Sequence, residues 1–342
     1  MVFYDNYTDN LLNFSALFMT FQDKKVIVTG AAGFIGSNLT DELLALGAEV
    51  IGIDNLFNGR VENLEMAMKN KRFQFHKGDV RDLNFLLDVF EGADIIYHEA
   101  AFASVPQSVK MPENCNDVNI NGIINVLNAA RRMDVEKVIF ASSSSVYGEA
   151  KTLKKTEDMR RVPISPYGAA KLACEAYMYV YYHVYGLKTT SLRYFNVFGP
   201  RQRDDSPYTG VIAIWFNRAR NNQNLTVFGD GEQSRDFTYV DDVVQANLLA
   251  GEKEAAGEII NIGAGNPITL NDLGNLILKL TGKEHLKLEY ADPRPGDIKH
   301  SFADLSKSKK ILGFQPKFKQ EEGLREYFKW YIKKYDIDLK IN

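Results

Sequence analysis

Residues 26–36 constrain the fold more than any other stretch, because they read VIVTGAAGFIG. The first four residues are apolar or β-branched and predict a buried strand, and apolar residues at helical spacing follow the glycines. Gly30, Gly33 and Gly36 allow a turn whose backbone can approach an anion, and the next helix presents free N–H groups to it. The stretch therefore predicts a strand, a phosphate-binding turn and a helix.

A carboxylate stands at the end of the next predicted strand. Residues 48–53 indicate that strand, and Asp54 follows it directly. A carboxylate at this place can accept a hydrogen bond from a ribose 2′-hydroxyl and would repel a 2′-phosphate. The two signals together predict a dinucleotide site that takes NAD in preference to NADP.

Composition excludes several classes of protein. The chain has 342 residues, 45% hydrophobic and 25% charged, with a net charge of −3 and no basic block. This balance is typical of a globular protein with a full core, and it argues against a nucleic-acid partner held by bulk electrostatics. Cys115 and Cys174 fit neither a metal-ligand spacing nor a disulfide framework, which favours two buried thiols in a reducing cytoplasm and no bound metal.

Nothing in the N-terminal region reads as a membrane or export signal. No apolar run approaches the roughly 20 residues that a bilayer span needs. Asp5 and Asp9 stand where a secretory signal would carry positive charge. We therefore expect residues 1–22 to form an N-terminal arm on a cytoplasmic protein without a membrane partner.

Strands and helices alternate along the first two thirds of the chain. Further strands are predicted at 73–76, 94–98, 137–140 and 188–194, and helices at 83–90, 118–133 and 166–185. This alternation predicts an α/β fold, a Rossmann-type doubly wound parallel sheet, over residues 23–198. Residues 199–342, with shorter strands at 225–228, 237–240 and 258–262, predict a smaller α/β substrate region interwoven with the first. A ligand cleft is expected between the two.

The candidate catalytic residues are Ser143, Tyr167 and Lys171. The serine run at 142–145 follows a strand at the carboxyl edge of the sheet, and Tyr167 and Lys171 share one helix face at i and i+4. An ammonium, with a positively charged nicotinamide, is expected to lower the tyrosine pKa from about 10 toward neutrality. Such a tyrosine can take a proton from a substrate hydroxyl while hydride leaves the same carbon, and Ser143 can share that hydrogen bond.

Nearly the whole chain resembles one family. The stretches that carry the resemblance are TGAAGFIG, DNLFNG, GDVRD, HEAAFASVPQS, SSSSVYG, SPYGAAK, LRYFNVFGPRQ, FGDGEQSRDFTYVDD and RPGDIKHSFAD. They are similar to extended short-chain dehydrogenases/reductases of the NAD-dependent UDP-hexose 4-epimerase family, with most similarity to UDP-N-acetylglucosamine 4-epimerases. The resemblance implies a UDP-sugar substrate, a 4-keto intermediate and NAD regenerated in each turnover.

The resemblance also implies the contact residues. The implied NAD contacts are Gly30, Gly33, Phe34, Ile35, Asp54, Asn55, Asn58, Gly59, Asp79, Val80, Ala100, Ala101, Asn119, Tyr167, Lys171 and Tyr194. The implied substrate contacts are Ser104, Ser143, Asn196, Val211, Phe228, Arg235, Arg294, Asp297 and Ser301. Arg235 and Arg294 can clamp a diphosphate with forked hydrogen bonds. At the position of Ser301, family members that carry a bulky Tyr lack space for an N-acetyl group on the sugar. The smaller serine implies that this chain has space for that group.

Several alternatives stay open. Related 4,6-dehydratases carry acidic residues at the positions of Ser144 and Ser145, and the related decarboxylases carry Glu at that of Ser145, so the resemblance speaks against both. An epimerase restricted to UDP-glucose and UDP-galactose, or one acting on a UDP-uronic acid, is not excluded. A catalytically inactive NAD-binding protein is disfavoured by Ser143, Tyr167 and Lys171. The apolar faces of 118–133 and 166–185 predict a homodimer.

Overall fold

Seven parallel strands form the main sheet of the computed structural model, which describes residues 17–148, 152–205, 209–293 and 299–336. The strands are Lys25–Thr29 (β1), Glu49–Asp54 (β2), Phe73–Lys77 (β3), Ile95–His98 (β4), Lys137–Ser143 (β5), Lys188–Tyr194 (β6) and Ile259–Ile262 (β7). Their order across the sheet is β7-β6-β5-β4-β1-β2-β3. The order reverses between β1 and β4, and such a switch point is where open α/β sheets bind ligands.

Helices cover both faces of this sheet. The helices are Phe34–Ala45 (α1), Leu83–Phe90 (α2), Val105–Lys110 (α3), Pro112–Asn116 (α4), Gly122–Arg132 (α5), Pro166–Tyr185 (α6), Val211–Arg220 (α7), Val240–Glu252 (α8), Leu270–Leu280 (α9), Ser306–Leu312 (α10) and Gln320–Lys334 (α11). Helices α1 and α8 pack on one face, and α2, α5 and α6 pack on the other. Alternate residues of β1 show this division, because Val26 and Val28 join one apolar core while Ile27 joins the other.

The smaller region is built from short strands and helices α7, α9 and α11. A four-stranded sheet has the order Ile268–Thr269, Ser234–Arg235, His300–Ala303 and Lys154–Lys155, and two further pairs join Thr238–Tyr239 to Val197–Phe198 and Leu288–Ala291 to Leu225–Phe228. Trp215, Leu273 and Tyr327 belong to a third apolar core beneath these elements. Short 3₁₀ turns lie at Val61–Leu64, Ala67–Lys69 and Ser144–Val146.

The predicted fold class is confirmed, and several predicted elements have the observed bounds. Helices 83–90 and 166–185 and strands 188–194 and 225–228 agree residue for residue. Helix 118–133 is wrong in detail, because a π-helical turn at Asp117–Asn121 precedes α5. Residues 258–262 belong to the main sheet as its edge strand β7, which pairs with β6.

Some predictions fall outside the described residues or stay untested. Residues 1–16 of the predicted arm, Arg294 and Asp297 lie outside the described residues. Residues 17–21 are helical, and Phe21 is fully buried in the core beside α8. The division of the chain at residue 199 stays a prediction.

Candidate active site

The glycine turn leaves no space for side chains. Gly30 has a φ of +72°, and a Cβ placed on it would lie 2.7 Å from the amide nitrogen of Ala100 at the end of β4. A Cβ on Gly36 would lie 2.2 Å from the carbonyl oxygen of Gly30. Gly33 is the N-cap of α1 and provides no side-chain acceptor for the first amides of that helix. The amides of residues 30–33 donate hydrogen bonds within the protein, so the N–H groups at the start of α1 are the donors that this turn presents to a pyrophosphate.

The first cavity, which we call the cofactor cleft, has a volume of about 490 Å³ and begins at this turn. Most of the predicted NAD contacts line it: Gly30, Gly33, Phe34, Ile35, Asp54, Asn55, Asn58, Gly59, Asp79, Val80, Ala100 and Ala101. Ser104, predicted as a substrate contact, also lines this cavity and caps α3. The glycine turn and this lining together fit a dinucleotide.

Asp54 organises one wall of the cofactor cleft. Its Oδ2 accepts a hydrogen bond of 3.0 Å from the amide of Ala32, and its Oδ1 accepts one of 2.8 Å from the amide of Leu56. A Cβ on Gly59 would lie 2.7 Å from the Asp54 carboxylate, so the loop after β2 closes tightly over it. Burial raises the pKa of Asp54, while the two backbone hydrogen bonds act in the opposite direction. The carboxylate thus lies where a ribose hydroxyl of a bound dinucleotide is expected.

Ser143, Tyr167 and Lys171 meet at the carboxyl end of β5. The Ser143 side chain lies near the Tyr167 phenol and acts to lower its pKa. The Nζ of Lys171 donates a hydrogen bond of 2.6 Å to the carbonyl oxygen of Ala141 and lies 5.8 Å from the centroid of the Tyr167 ring. Lys171 is 2% exposed, so its charge lies inside the protein.

On balance the protein's own groups do not lower the pKa of Tyr167, and the expected lowering, which includes the charge of a bound nicotinamide, stays a prediction. Burial raises the pKa of Tyr167 to about 12, because the phenolate would lose its hydration, and the nearby Ser143 offsets only part of this. Burial also lowers the pKa of Lys171. The i, i+4 spacing predicts the pairing of the two residues correctly, but it contains no measure of how deeply both groups are buried.

A buried ion pair lies directly behind the catalytic residues. Glu175 accepts a hydrogen bond of 2.6 Å from the Ser142 hydroxyl, and its carboxylate accepts two of 2.8 Å each from Arg193. Arg193 also donates to the Tyr147 hydroxyl at 2.8 Å. Since Glu175 and Arg193 are 2% and 0% exposed, this pair joins α6, β5 and β6 without contact with solvent.

The second cavity has a volume of about 420 Å³ and adjoins the cofactor cleft. Four predicted substrate contacts line it, namely Asn196, Val211, Phe228 and Arg235. Three further residues, Gln202, Thr209 and Gly210, line both cavities. They were not predicted as site residues, although Gln202 is the last residue of the stretch LRYFNVFGPRQ. We call this second cavity the nucleotide cleft.

Other predicted site residues lie beside the cavities and not in their lining. Asn119 is buried, and its Oδ1 accepts a hydrogen bond of 2.8 Å from the amide of Phe102. The Tyr194 hydroxyl donates to Glu99 at 2.7 Å, and Glu99 itself lines the cofactor cleft although it was not predicted as a site residue. Ser301 pairs with Arg235 across two adjacent parallel strands, which places it next to the nucleotide cleft.

The described residues contain neither a metal-binding cluster nor a membrane-spanning helix. No group of three or more His, Cys, Asp or Glu side chains there could hold a metal ion. Within those ranges, no helix combines the length and the apolar character that a bilayer crossing requires. Cys115 and Cys174 are both free and buried, as the sequence predicts.

One family model and several known proteins are similar to this chain. The family model described as GDP-mannose 4,6 dehydratase matches residues 27–327. A UDP-glucuronate 4-epimerase of Thermodesulfobacterium geofontis is 37% identical over 89% of this chain and 95% of its own length. The solved UDP-N-acetylglucosamine 4-epimerase of Methanobrevibacter ruminantium M1, in complex with UDP-N-acetylmuramic acid, is 41% identical with a TM-score of 0.88, covering 92% of this chain and 99% of that one.

A third relative was solved with its cofactor. The UDP-glucose 4-epimerase of Thermus thermophilus, in complex with NAD, is 37% identical with a TM-score of 0.81, covering 90% of this chain and 98% of that one. The family model extends over the residues of both clefts and over the candidate catalytic residues. The chain therefore belongs to the nucleotide-sugar family of short-chain dehydrogenases/reductases that the GDP-mannose 4,6 dehydratase model describes.

Proposed function

We propose that this protein is an NAD-dependent 4-epimerase of UDP-sugars. The observation that carries the proposal is that Ser143, Tyr167 and Lys171 meet at the carboxyl end of β5, with Lys171 buried one turn beyond Tyr167 on α6 and bonded to the carbonyl oxygen of Ala141. These residues lie at the carboxyl edge of the main sheet, which also supplies residues of the cofactor cleft and the nucleotide cleft. A proton acceptor, a dinucleotide cradle and a second cleft are the parts that reversible oxidation of a sugar alcohol needs.

Tyr167 is the proposed base and acid of the reaction. A bound NAD⁺ would supply the acceptor for a hydride from C4 of the hexose and the donor for its return. Tyr167 takes the proton of the C4 hydroxyl, so that a 4-keto sugar forms, and it gives the same proton back after the sugar has turned its other face. Ser143 donates a hydrogen bond to the phenolate oxygen and stabilises its charge. Residues of the nucleotide cleft, among them Phe228 and Arg235, hold the UDP part while the sugar turns.

Ser144 and Ser145 favour an epimerase over a dehydratase, because a reaction without loss of water ends when the hydride returns to C4. Loss of water across C5 and C6 requires a second acid and base near the keto sugar. The 3₁₀ turn Ser144–Val146 that follows Ser143 carries no carboxyl group. The 4-keto sugar is then reduced again with C4 inverted.

We further propose UDP-N-acetylglucosamine and UDP-N-acetylgalactosamine as substrates. Ser301 is paired with Arg235, and its small side chain leaves space where a tyrosine would not. The relative from Methanobrevibacter ruminantium, with its bound N-acetylated sugar nucleotide, supports the same assignment. UDP-glucose is the second candidate substrate, favoured by the Thermus thermophilus relative, and UDP-glucuronate the third, favoured by the Thermodesulfobacterium geofontis relative.

The experiment is incubation of purified protein with UDP-N-acetylglucosamine, UDP-glucose and UDP-glucuronate in separate reactions. Products are separated by chromatography and identified by the configuration at C4. Inversion of the N-acetylated substrate at the highest kcat/KM supports the proposal. Turnover of UDP-glucose alone contradicts the substrate assignment, and no inversion of any of the three contradicts the 4-epimerase.

We also propose a homodimer formed through α6. Tyr177, Val180 and Val184 project from one side of that helix and are 38%, 42% and 66% exposed, and Val109 of α3 is 62% exposed. The apolar residues of α5 are mostly buried in their own core, so the expected face lies chiefly on α6. An exposed apolar stripe of this kind marks an interaction surface. Val180→Glu with Val184→Glu should convert a dimer to a monomer in light scattering, and an unchanged mass contradicts the assignment.

The proposed compartment rests on the cysteines. Cys115 and Cys174 are unpaired thiols, which agrees with a reducing compartment, and we propose the cytoplasm.

A further inference from the structure

We infer that the Glu99 carboxylate, when ionised, places a negative charge in the cofactor cleft that makes the protein hold NAD⁺ in preference to NADH. This inference rests on the proposed function, because it concerns the cofactor of that reaction. Glu99 follows β4 directly and lines the cofactor cleft together with Gly30 and Ala100. A Cβ placed on Gly30 would lie 2.9 Å from the carbonyl carbon of Glu99, so the glycine turn and this residue are in direct contact.

A chain of hydrogen bonds directs the Tyr194 hydroxyl toward Glu99. The Nδ2 of Asn247 donates to the carbonyl oxygen of Val243 at 2.9 Å and to the Tyr194 hydroxyl at 2.7 Å. The carbonyl of Val243 can only accept, which sets the orientation of the Asn247 amide. The Tyr194 hydroxyl therefore accepts from Asn247, and its own proton is directed to the Glu99 carboxylate at 2.7 Å. The Asn247 oxygen, at 3.0 Å from the same hydroxyl, is the longer contact.

Glu99 lies within electrostatic range of the catalytic residues. Its charge acts on both Tyr167 and Lys171. Lys171 is the cation that faces it from α6, yet the Nζ of Lys171 donates to the carbonyl oxygen of Ala141. The other titratable groups around Glu99 are the phenols of Tyr97 and Tyr194, which carry no charge at neutral pH.

Burial of the Glu99 carboxylate costs desolvation free energy, which indicates that the charge has a function. Burial raises the pKa of Glu99 to about 7, while the Tyr194 hydrogen bond and the charge of Lys171 act to lower it. A glutamine at this position could occupy the same space, with no charge to desolvate.

The chemistry of the cofactor supplies that function. The oxidised nicotinamide ring carries a positive charge and the reduced ring carries none. The nicotinamide and Tyr167 act on the same sugar carbon, so the nicotinamide ring must bind close to Tyr167. At that place the charge of Glu99 acts on the ring. A carboxylate there stabilises the oxidised form relative to the reduced one. An epimerase benefits because a keto sugar that escapes leaves NADH behind, and an enzyme that favours NAD⁺ promotes return of the hydride.

The experiment measures cofactor preference by exchange on the holoenzyme. Purified wild-type protein and the Glu99→Gln variant are equilibrated with mixtures of NAD⁺ and NADH at a pH of about 8.5, where a group of pKa about 7 is ionised. Unbound dinucleotide is then removed by desalting. The reduced fraction that stays bound is read from NADH absorbance and fluorescence. Because a single charge acting over about 12 Å at an effective dielectric near 20 changes an equilibrium about tenfold, Glu99→Gln should raise the bound NADH to NAD⁺ ratio by about tenfold. Glu99→Asp retains the charge and should stay close to the wild type.

Two controls separate charge from structure and from the proposed reaction. Glu49→Gln removes an exposed carboxylate at the opposite end of β2, and it should leave the ratio unchanged. An unchanged ratio in Glu99→Gln, or an equal shift in Glu99→Asp, overturns the inference. A wild-type protein that binds NAD but inverts no UDP-sugar contradicts the proposed function while the exchange ratio still tests Glu99. A protein that retains no dinucleotide under any mixture overturns both.

Discussion

Lys171 and Ala141 are joined by a hydrogen bond of 2.6 Å between the Nζ of the lysine and the carbonyl oxygen two residues before Ser143. One turn further along α6, Glu175 accepts a hydrogen bond from Ser142. The helix that carries Tyr167 is thus fastened to β5 at two successive positions. This arrangement fixes the distance between Tyr167 and Ser143 independently of any ligand, and it underlies the first two predictions.

Tyr167→Phe should reduce kcat by about 10²–10⁴-fold, the range that general acid–base catalysis contributes. The ring and its packing remain, so bound cofactor and melting temperature should stay close to the wild type. Ser143→Ala should have a smaller effect, because it removes one hydrogen bond to the phenolate and leaves the base. Steady-state kinetics with the preferred UDP-sugar measures both variants. If Ser143→Ala is neutral while Ser144→Ala is inactive, the register assigned to the serine run is wrong.

Arg193→Met should lower the free energy of unfolding by about 3–5 kcal/mol, because it leaves the fully buried Glu175 carboxylate without its partner. The double variant Arg193→Met with Glu175→Leu removes both charges and should recover a large part of that loss. Urea denaturation of the two variants and the wild type measures the effect. Equal destabilisation by the single and double variants would show that packing, and not the unpaired charge, sets the cost.

Asp54→Ala should weaken NAD binding and relax the discrimination against NADP. The carboxylate is the proposed partner of the ribose hydroxyls, and it also accepts hydrogen bonds from the amides of Ala32 and Leu56. A lower melting temperature is therefore expected as well. Fluorescence titration with NADH and NADPH measures the preference. Wild-type protein that retains NADP after purification would contradict the role of Asp54.

Ser301→Tyr should remove activity on the N-acetylated pair by steric clash and leave UDP-glucose turnover equal or higher. Ser301 is the strand neighbour of Arg235, so a larger side chain there changes the wall next to the nucleotide cleft. The ratio of kcat/KM for UDP-N-acetylglucosamine to that for UDP-glucose is the measured quantity. Ser301→Ala serves as the control of similar size and should keep the wild-type ratio. Unchanged use of the acetylated substrates by Ser301→Tyr contradicts the size argument.

His98 should impose a pH dependence on stability. Burial, with the charge of Lys171, lowers the pKa of His98 to about 3, and its Nδ1 lies 2.8 Å from the Thr29 hydroxyl. Between pH about 6.5 and 3 the unfolded chain binds a proton that the folded protein does not, so the folded state loses about 1.4 kcal/mol per pH unit through this group as the pH falls. Asp241 and Asp242, whose pKa values are raised to about 7 and about 6, act in the opposite direction.

The test of His98 is therefore a difference between two proteins. Chemical denaturation of the wild type and of His98→Gln is measured across that pH range. The stability advantage of the wild type over the variant should narrow as the pH falls. An advantage that is constant with pH would show that His98 does not titrate in this way.

The sequence predicts elements well where local signals mark both ends. Helix α6 begins after Ser165, whose hydroxyl accepts from the amide of Gly168, and ends at Gly186, which has a left-handed conformation. Strand β5 extends beyond its predicted end because pairing with β6 continues through Ser142 and Ser143, although serine does not favour strands. The ladder of a neighbouring strand overrides the local preference there.

Only those parts of the site that lie within local sequence motifs could be predicted. The glycine turn and Asp54 are close in sequence, so their shared cleft follows from one local pattern. The contact between Glu99 and Tyr194 joins residues of two separate strands, and no local pattern marks it. The pKa of Tyr167 could not be derived either, because it depends on burial by several segments at once.

The edge strand Ile259–Ile262 ties the folding of the two halves of the chain together. It pairs with Lys188–Tyr194, yet helices α7 and α8 lie between the two strands in sequence. A chain cut after residue 198 would leave β6 as an open edge with unpaired backbone groups, a template for association with other chains. The cofactor-binding half therefore needs residues from the second half to complete its own sheet. Unfolding of the described protein should proceed as one cooperative transition, with no separately stable cofactor-binding fragment.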